Sequence, residues 1–463
     1  MVGSKNRVEM AKMSLEKVYR YIDAHADDFV RNLVRLVKQP SVSAKKEGMR
    51  ECAELVERMM REAGLSTKIL PEEKGNPVVY GEIRSKKSNR TILFYDHYDV
   101  QPPEPLEKWT HEPFGGETEN GKIFGRGASD NKGNFVSRLN AVEAFIKATG
   151  GVPANVKFVV EGEEEIGSPH LEPVIRSNKS LFSADAAIWE FGGTDRCGRP
   201  ELYLGLKGVL SVELRASGAS KDVHSANAPI IPNPAWRLIW ALNLLKNSEE
   251  EVLIEGFYND VVPPSPEEIE CLKGIPLEEE EVKKELGLKK FLRNKSGLEA
   301  LRALLCQPTC TINGFISGYT GKGSKTVLPH EATAKLDFRL VPNQDSGEIF
   351  KGLVKHLKKH GFGDLEVIKH GSTEPTRTPV SDPFVKLVSE TAEEVYGKEA
   401  VIYPSSAASG PMHLFRNVLG YPVVSAGCSH PEANVHAPDE NLKINSFIKG
   451  TKFIATLISD FAL

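Results

Sequence analysis

The string YDHYDVQP (95–102) sets His97 and Asp99 two positions apart, at the end of the apolar run TILFY (91–95). On an extended chain such residues share a side. An imidazole able to hold a divalent metal would then have a carboxylate beside it to fix the ring. The next chemistry-bearing string is GRGASDNKG, which puts Asp130 just ahead of a helical pattern at 132–149. Aspartate caps helices well, but Gly125, Gly127 and Gly133 describe a tighter backbone than a cap requires. EGEEEIGS follows the run VKFVV (156–160) and holds Glu161, Glu163, Glu164 and Glu165 within five positions. Carboxylates crowded at a sheet edge are costly unless cations neutralise them. Glu190 follows AAIW (186–189) in the same manner, and His436 closes PVVSAGCSHPEANVH. Each fragment alone has an ordinary reading: a structural histidine, a helix cap, a solvated acidic loop. Together they supply three carboxylates, two histidines and a spare glutamate. That oxygen and nitrogen set suits two divalent ions of the zinc, manganese or cobalt kind. Such a pair polarises a carbonyl and acidifies water, and the spare glutamate would shuttle the proton.

These residues must be positioned by the elements around them. Residues 14–38 and 49–63 read as amphipathic helices, the second with Cys52, Leu55, Val56, Met59 and Met60 on one face and Gly64 as its stop. The pattern at 132–149 places Phe135, Leu139, Val142, Phe145 and Ile146 on one side. TILFY, VKFVV, AAIW and PVVSA (422–426) read as buried strands. Strands alternating with helices predict a mostly parallel sheet covered on both faces. Sites in such sheets lie beyond the carboxyl ends of the strands, where the acids and histidines fall. From about residue 208 the texture changes to longer alternating strands, 208–218 and 331–342. The acidic stretch 249–289 reads as solvated faces and loops. The first texture resumes near residue 380. The expected organisation is an α/β catalytic domain in two parts, 1–207 and 373–463, with an α+β domain inserted at 208–372.

A chain of 463 residues exceeds one compact core. A net charge of −4, with both signs mixed along the chain, excludes a basic nucleic-acid footprint. No apolar run approaches a membrane span and the N-terminal stretch lacks a signal-peptide core, so a cytoplasmic protein is expected. The six cysteines form no CxxC pair and read as free thiols.

The whole set resembles the M20 family of metallopeptidases, which includes carnosinase-like dipeptidases, carboxypeptidases and N-acyl amino acid deacylases. YDHYDVQP, GRGASDNKG, EGEEEIGS, DVHSA, SKTVLPHEATAKLDFRLVPN and NVHAPDENLKI match in that order over nearly the whole chain. SKTVLP and RLVPN look most like the carnosinase and nonspecific dipeptidase branch. The resemblance implies that Asp130 bridges two divalent metals per subunit, zinc first, with manganese or cobalt accepted by the same ligands. His97 and Glu190 would complete one metal, Glu165 and His436 the other. Glu164 would be general base and acid, and Asp99 would orient His97. The peptide bond after Asp130 would be cis. The inserted domain would serve as lid and dimerisation domain. His224 would reach the partner subunit's site in a homodimer and steady the oxyanion. Arg339 would grip the carboxylate of a short peptide, with Thr326 and Ser409 as further substrate contacts. Glu190 stands where carnosinase-like enzymes usually carry aspartate, as in the carboxypeptidase and deacylase branches. The activity implied is a dipeptidase or carboxypeptidase. A deacylase and a non-catalytic binding protein on the same fold are the alternatives.

Overall fold

The computed structural model describes residues 2–70 and 75–463. Alternation along its strands sorts side chains into two apolar layers. In the strand Thr91–His97, Ile92 and Phe94 join one cluster while Leu93 and Tyr95 join another. Asn155–Glu161 and Ala186–Trp189 do the same, with Phe158 and Ile188 on one side and Val159 and Trp189 on the other. The first layer is covered by the helices Val2–Ala24, Ala26–Val37, Met49–Glu62, Lys132–Thr149, Pro383–Tyr396 and Ile444–Phe461. The second is covered by Leu171–Ser177 and the turn of helix at 414–419. A sheet buried on both faces needs near-continuous apolar strands, as these sequences have.

That sheet has nine strands. Its path runs Ser66–Leu70, Val78–Ile83, Asn155–Glu161, Thr91–His97, Ala186–Trp189, Val423–Ser425, Pro200–Tyr203 and Val401–Tyr403, with Gly193–Thr194 paired to Pro200–Tyr203 off the path. The central pairings are parallel and the flanking ones at 66–83 antiparallel. The fold is the expected mostly parallel α/β arrangement.

Residues 208–373 build a separate antiparallel sheet, ordered Thr309–Ser317, Glu331–Leu340, Gly208–Ser217, Glu366–Thr373. Its two central strands pair without interruption from Gly208 against Leu340 to Ser217 against Glu331. Helices Pro234–Asn243 and Ser346–Lys359 send Leu238, Ala241, Leu353 and Leu357 into its own core with Leu210, Val212, Leu336 and Phe338.

One expected helix differs. Residues 14–38 are not continuous: one helix ends at Ala24 and a second begins at Ala26. Asp27 and Asp28 fall in the first turn of the second, where carboxylates favour a new helix start. In the acidic stretch, Glu279–Glu285 has Glu279, Glu280 and Glu281 in its first turn and Lys283 and Lys284 in its last, an arrangement that matches the helix dipole. All six cysteines are free. Among the described residues no helix is long and apolar enough to cross a membrane.

Candidate metal centre and its cavity

His97 ends its strand fully buried, and Arg138 explains how that strand end is held. From the helix Lys132–Thr149 this buried guanidinium donates to the carbonyls of Tyr95, Trp189, Glu190 and Ala426 and to the Asp96 carboxylate at 2.7 Å. One side chain thus ties together three parallel strands where their carboxyl ends meet. Sequence reading did not single it out, because its partners lie 42 to 288 residues away.

Two groups of potential metal ligands lie at these strand ends: His97, Asp130 and Glu190, and Asp130, Glu165 and His436. Asp130 is common to both and uses a different oxygen for each. Its Oδ1 lies 3.1 Å from His97 Nε2 and its Oδ2 lies 3.0 Å from His436 Nε2. Glu165 Oε2 is 3.2 Å from His436 Nε2, and Glu190 Oε2 is 4.0 Å from His97 Nε2. The peptide Asp130–Asn131 is cis. Asn131, not Asp130, takes the N-cap position of the following helix, and Asp130 faces the two imidazoles. Two imidazoles and three carboxylates, with one carboxylate shared, fit a pair of divalent cations with mixed nitrogen and oxygen preference.

The charges respond to this crowding. Burial raises the Asp130 carboxyl, but the bonds to His436 and His97 outweigh it and hold the group below the usual carboxylate range. Burial opposes a charged His97, yet its contacts with Asp130 and Asp99 carry it well above the ordinary imidazole value. Glu190 is pushed up to about 8, chiefly by burial. Neighbouring like charges that favour protons in this manner also favour a bound cation.

Of the four acids in EGEEEIGS, only two face the centre. Glu161 is buried and accepts from Tyr95 Oη at 2.5 Å and Ser168 Oγ at 2.8 Å. Glu163 accepts from the Asn76 amide at 3.1 Å and pairs with His170 at 2.9 Å. Glu164 and Glu165 lie on a short 3₁₀ turn whose amides donate to the two Asp99 oxygens at 3.2 and 3.0 Å. His97 Nδ1 lies 3.0 Å from the Asp99 backbone carbonyl and 3.4 Å from its carboxylate, so one residue aligns an imidazole and the acidic turn together. Gln101 donates to Glu165 Oε2 at 2.8 Å, and Asn131 to Glu190 Oε2 at 2.9 Å.

Glu440 is a second residue that sequence reading passed over. It is fully buried, and its two oxygens accept from Arg126 Nη1 and from the amides of Gly127, Ser129 and Asp130, all at 2.8–3.0 Å. Four bonds from one carboxylate fasten the Asp130 loop to the segment that carries His436. The only hint in the sequence is the string DEN shortly after that histidine.

A cavity of about 840 Å³ opens over Asp130, Glu164, Glu165, Glu190 and His436 and extends to Ser409. Arg339 reaches its margin by donating to Ser409 Oγ at 2.9 Å. His224 and Thr326 do not line it. They sit together on a short ribbon in which Val223–His224 pairs with Val327–Leu328, with His224 exposed and its Nε2 3.5 Å from Thr326 Oγ1. The eleven residues singled out from sequence therefore fall into a metal-ligand group with its supporting acids, a margin formed by Arg339 and Ser409, and a separate exposed pair.

Mixed ligands at the carboxyl ends of parallel strands, beside a free carboxylate and an open cavity, define a metal-dependent hydrolase class. The chain belongs to peptidase family M20/M25/M40, whose model matches residues 93–460. It is 28% identical to the human Beta-Ala-His dipeptidase, over 97% of this chain and 93% of that protein. It is also 28% identical to the Cys-Gly metallodipeptidase dug1 of Schizosaccharomyces pombe, over 97% of this chain and 99% of that one. Among solved structures, an M20 family metallo-carboxypeptidase from Sulfolobus solfataricus superposes with a TM-score of 0.89 at 43% identity, covering 94% of this chain and 99% of that chain.

Proposed function

We propose that this chain is a two-metal hydrolase that cleaves the amide bond of dipeptides or short peptides bearing a free C-terminal carboxylate. The observation that carries the proposal is the sharing of Asp130 between two ligand groups, with Glu164 beside them and outside both. Divalent cations held by His97, Asp130, Glu165, Glu190 and His436, zinc first, would supply Lewis acidity to the scissile carbonyl and the attacking water. Glu164 then takes the proton of the attacking water and delivers it to the leaving amine. Burial raises its carboxyl well above the usual range; the His97 charge opposes this and the Glu190, Asp130 and Glu165 neighbours add to it. Arg339, steadied by Ser409, grips the substrate carboxylate with its planar guanidinium. The names of the relatives, two dipeptidases and a metallo-carboxypeptidase, support the same substrate class.

We assign residues 1–207 and 373–463 to the catalytic domain and 208–372 to an inserted lid and dimerisation domain. Its separate sheet and separate core support that division. The functional unit is a homodimer in the cytoplasm. His224 and Thr326, exposed and outside their own chain's cavity, serve the partner's site, where His224 steadies the developing oxyanion. Trp236 and Trp240, each more than half exposed on one helix, and the exposed Ile312 and Ile316 on an edge strand supply the apolar surface such an interface needs.

Hydrolysis of a dipeptide panel, before and after chelation, tests the proposal. Activity should vanish on metal removal and return with zinc, manganese or cobalt. Dipeptides amidated at the C-terminus should be cleaved at least ~10-fold more slowly than the free acids, because an anion site left without its anion keeps an unpaired charge. Full activity in verified metal-free protein would overturn the two-metal reading. Cleavage of N-acetyl amino acids with no action on dipeptides would make the chain a deacylase.

A further inference from the structure

The cavity continues past the metal ligands to a wall that the mechanism does not use. Alternation along Pro200–Tyr203 turns Glu201 and Tyr203 to the same side, and the parallel pairing with Val401–Tyr403 sets Tyr403 beside Tyr203. The two rings stack at 4.4 Å, and Phe191 packs against Tyr203 at 4.9 Å. All three rings are only partly buried and line the cavity, as does Glu201.

Glu201 is in an unusual electrostatic position. Asp195, which also lines the cavity, is held by Arg199 at 2.7 Å, and Glu278 is held by Arg196 at 3.1 Å. Arg196 in turn is shared with Glu281, so it brings no free cation. Asp130, Glu165 and Glu190 belong to the metal groups, and Glu164 is the proposed base. Glu201 has no ion-pair partner among the described residues. Its Oε1 accepts from Tyr403 Oη at 2.9 Å. Burial raises its carboxyl and Asp195 adds to this, while the tyrosine hydroxyls and the charge of Arg199, itself bound to Asp195, only partly oppose it.

A neutral aromatic or aliphatic group placed against this wall would bury the carboxylate without a counter-charge, which is costly. An anion would be repelled. A cation would satisfy the acid, whose only hydrogen bond among the described residues is the one from Tyr403, beside a wall of aromatic rings. Leu277 and Val282, half-buried in the same cavity, offer apolar surface for a methylene stem. The volume of about 840 Å³ is near the upper end of the roughly 300–1,000 Å³ that holds a drug-sized ligand. Room therefore remains for such a stem beside the reacting peptide.

We infer that Glu201, Tyr203, Tyr403 and Phe191 form a cation subsite for an alkylammonium or guanidinium on the amino-terminal part of the substrate. The inference rests on the peptidase reading above and deepens it. The carboxylate end is taken by Arg339, so the cation must come from the other part of the peptide. It is either a lysine or arginine side chain or the free α-amine.

Two ratios of kcat/KM separate these sources, each measured on the metal-loaded wild type and on Glu201→Gln. Lysyl-leucine against norleucyl-leucine changes only the side-chain charge. Norleucyl-leucine against hexanoyl-leucine, its des-amino analogue, changes only the α-amine. The wild type should favour the charged member by about tenfold or more in at least one pair, and Glu201→Gln should bring that ratio close to one. Collapse of the first ratio identifies the side chain, and collapse of the second the amine. Tyr403→Leu, which removes a ring and keeps the acid, should lower the same ratio part-way. Ratios equal in wild type and Glu201→Gln in both pairs would overturn the subsite. Failure of the wild type to cleave any of these peptides would instead sink the peptidase reading.

Discussion

Glu164 and Glu165 are neighbours in the chain and share the Asp99 carboxylate through their amides, yet their side chains meet different surroundings. Glu165 lies within reach of His436 and Asp130, whereas Glu164 belongs to neither ligand group. Substituting each by glutamine separates the roles. Glu164→Gln should retain both metals by direct metal analysis and lower turnover by about 10²–10⁴-fold, the scale of a lost proton-transfer group. Glu165→Gln should weaken one metal. If the two variants exchanged these phenotypes, base and ligand would be assigned the wrong way round. Glu161 and Glu163 are already committed, to Tyr95 and Ser168 and to Asn76 and His170. Their loss should act on the stability of the acidic turn.

At the scale of elements, the centre depends on how strand ends and loops are fastened together. Arg138 bonds the ends of three strands, and Glu440 bonds the Asp130 loop to the His436 segment. Glutamine at 440 keeps the volume but replaces an acceptor with a donor that faces backbone amides. Glu440→Gln should therefore weaken metal binding to apo protein by about 10–100-fold in titration calorimetry, the usual cost of losing a group that orients metal ligands. The loss should be greater for the metal held by Asp130, Glu165 and His436, because Glu440 tethers two of those three ligands. Unchanged affinities in folded protein would show that the loop holds its shape without this carboxylate.

At the scale of the molecule, the two sheets have separate cores, and the exposed pair His224 and Thr326 sits on a two-stranded ribbon that pairs with neither. A symmetric dimer would complete both sites at once. Mixing an inactive His224→Ala chain with an inactive Glu164→Gln chain, under conditions that exchange subunits, should restore activity. Heterodimers then hold one site with both residues intact. A mixture that exchanges subunits and stays inactive would exclude sharing of His224 across the interface.

Much of this was legible in the chain itself. Apolar runs such as TILFY and VKFVV specify strands buried on both faces, because each alternate residue must enter one of two apolar layers. The acids and histidines directly after those runs are bound to lie at the carboxyl edge of the sheet, since a parallel arrangement aligns the strand ends. The string of motifs in order was enough to identify the family. The rest required the tertiary structure. The resemblance picked Glu164 and Glu165 from the four glutamates, but periodicity could not show that they face the centre, because on an irregular turn no repeat of 2 or 3.6 residues fixes side-chain direction. Arg138 and Glu440 act on partners up to 314 residues away, so no local pattern marks them. The split between the cavity margin at Arg339 and the exposed pair at His224 was equally hidden, because it depends on where an inserted sheet lies relative to the catalytic strands. Sequence determined the ligands available and the edge on which they sit. Long-range hydrogen bonding decided which of them converge.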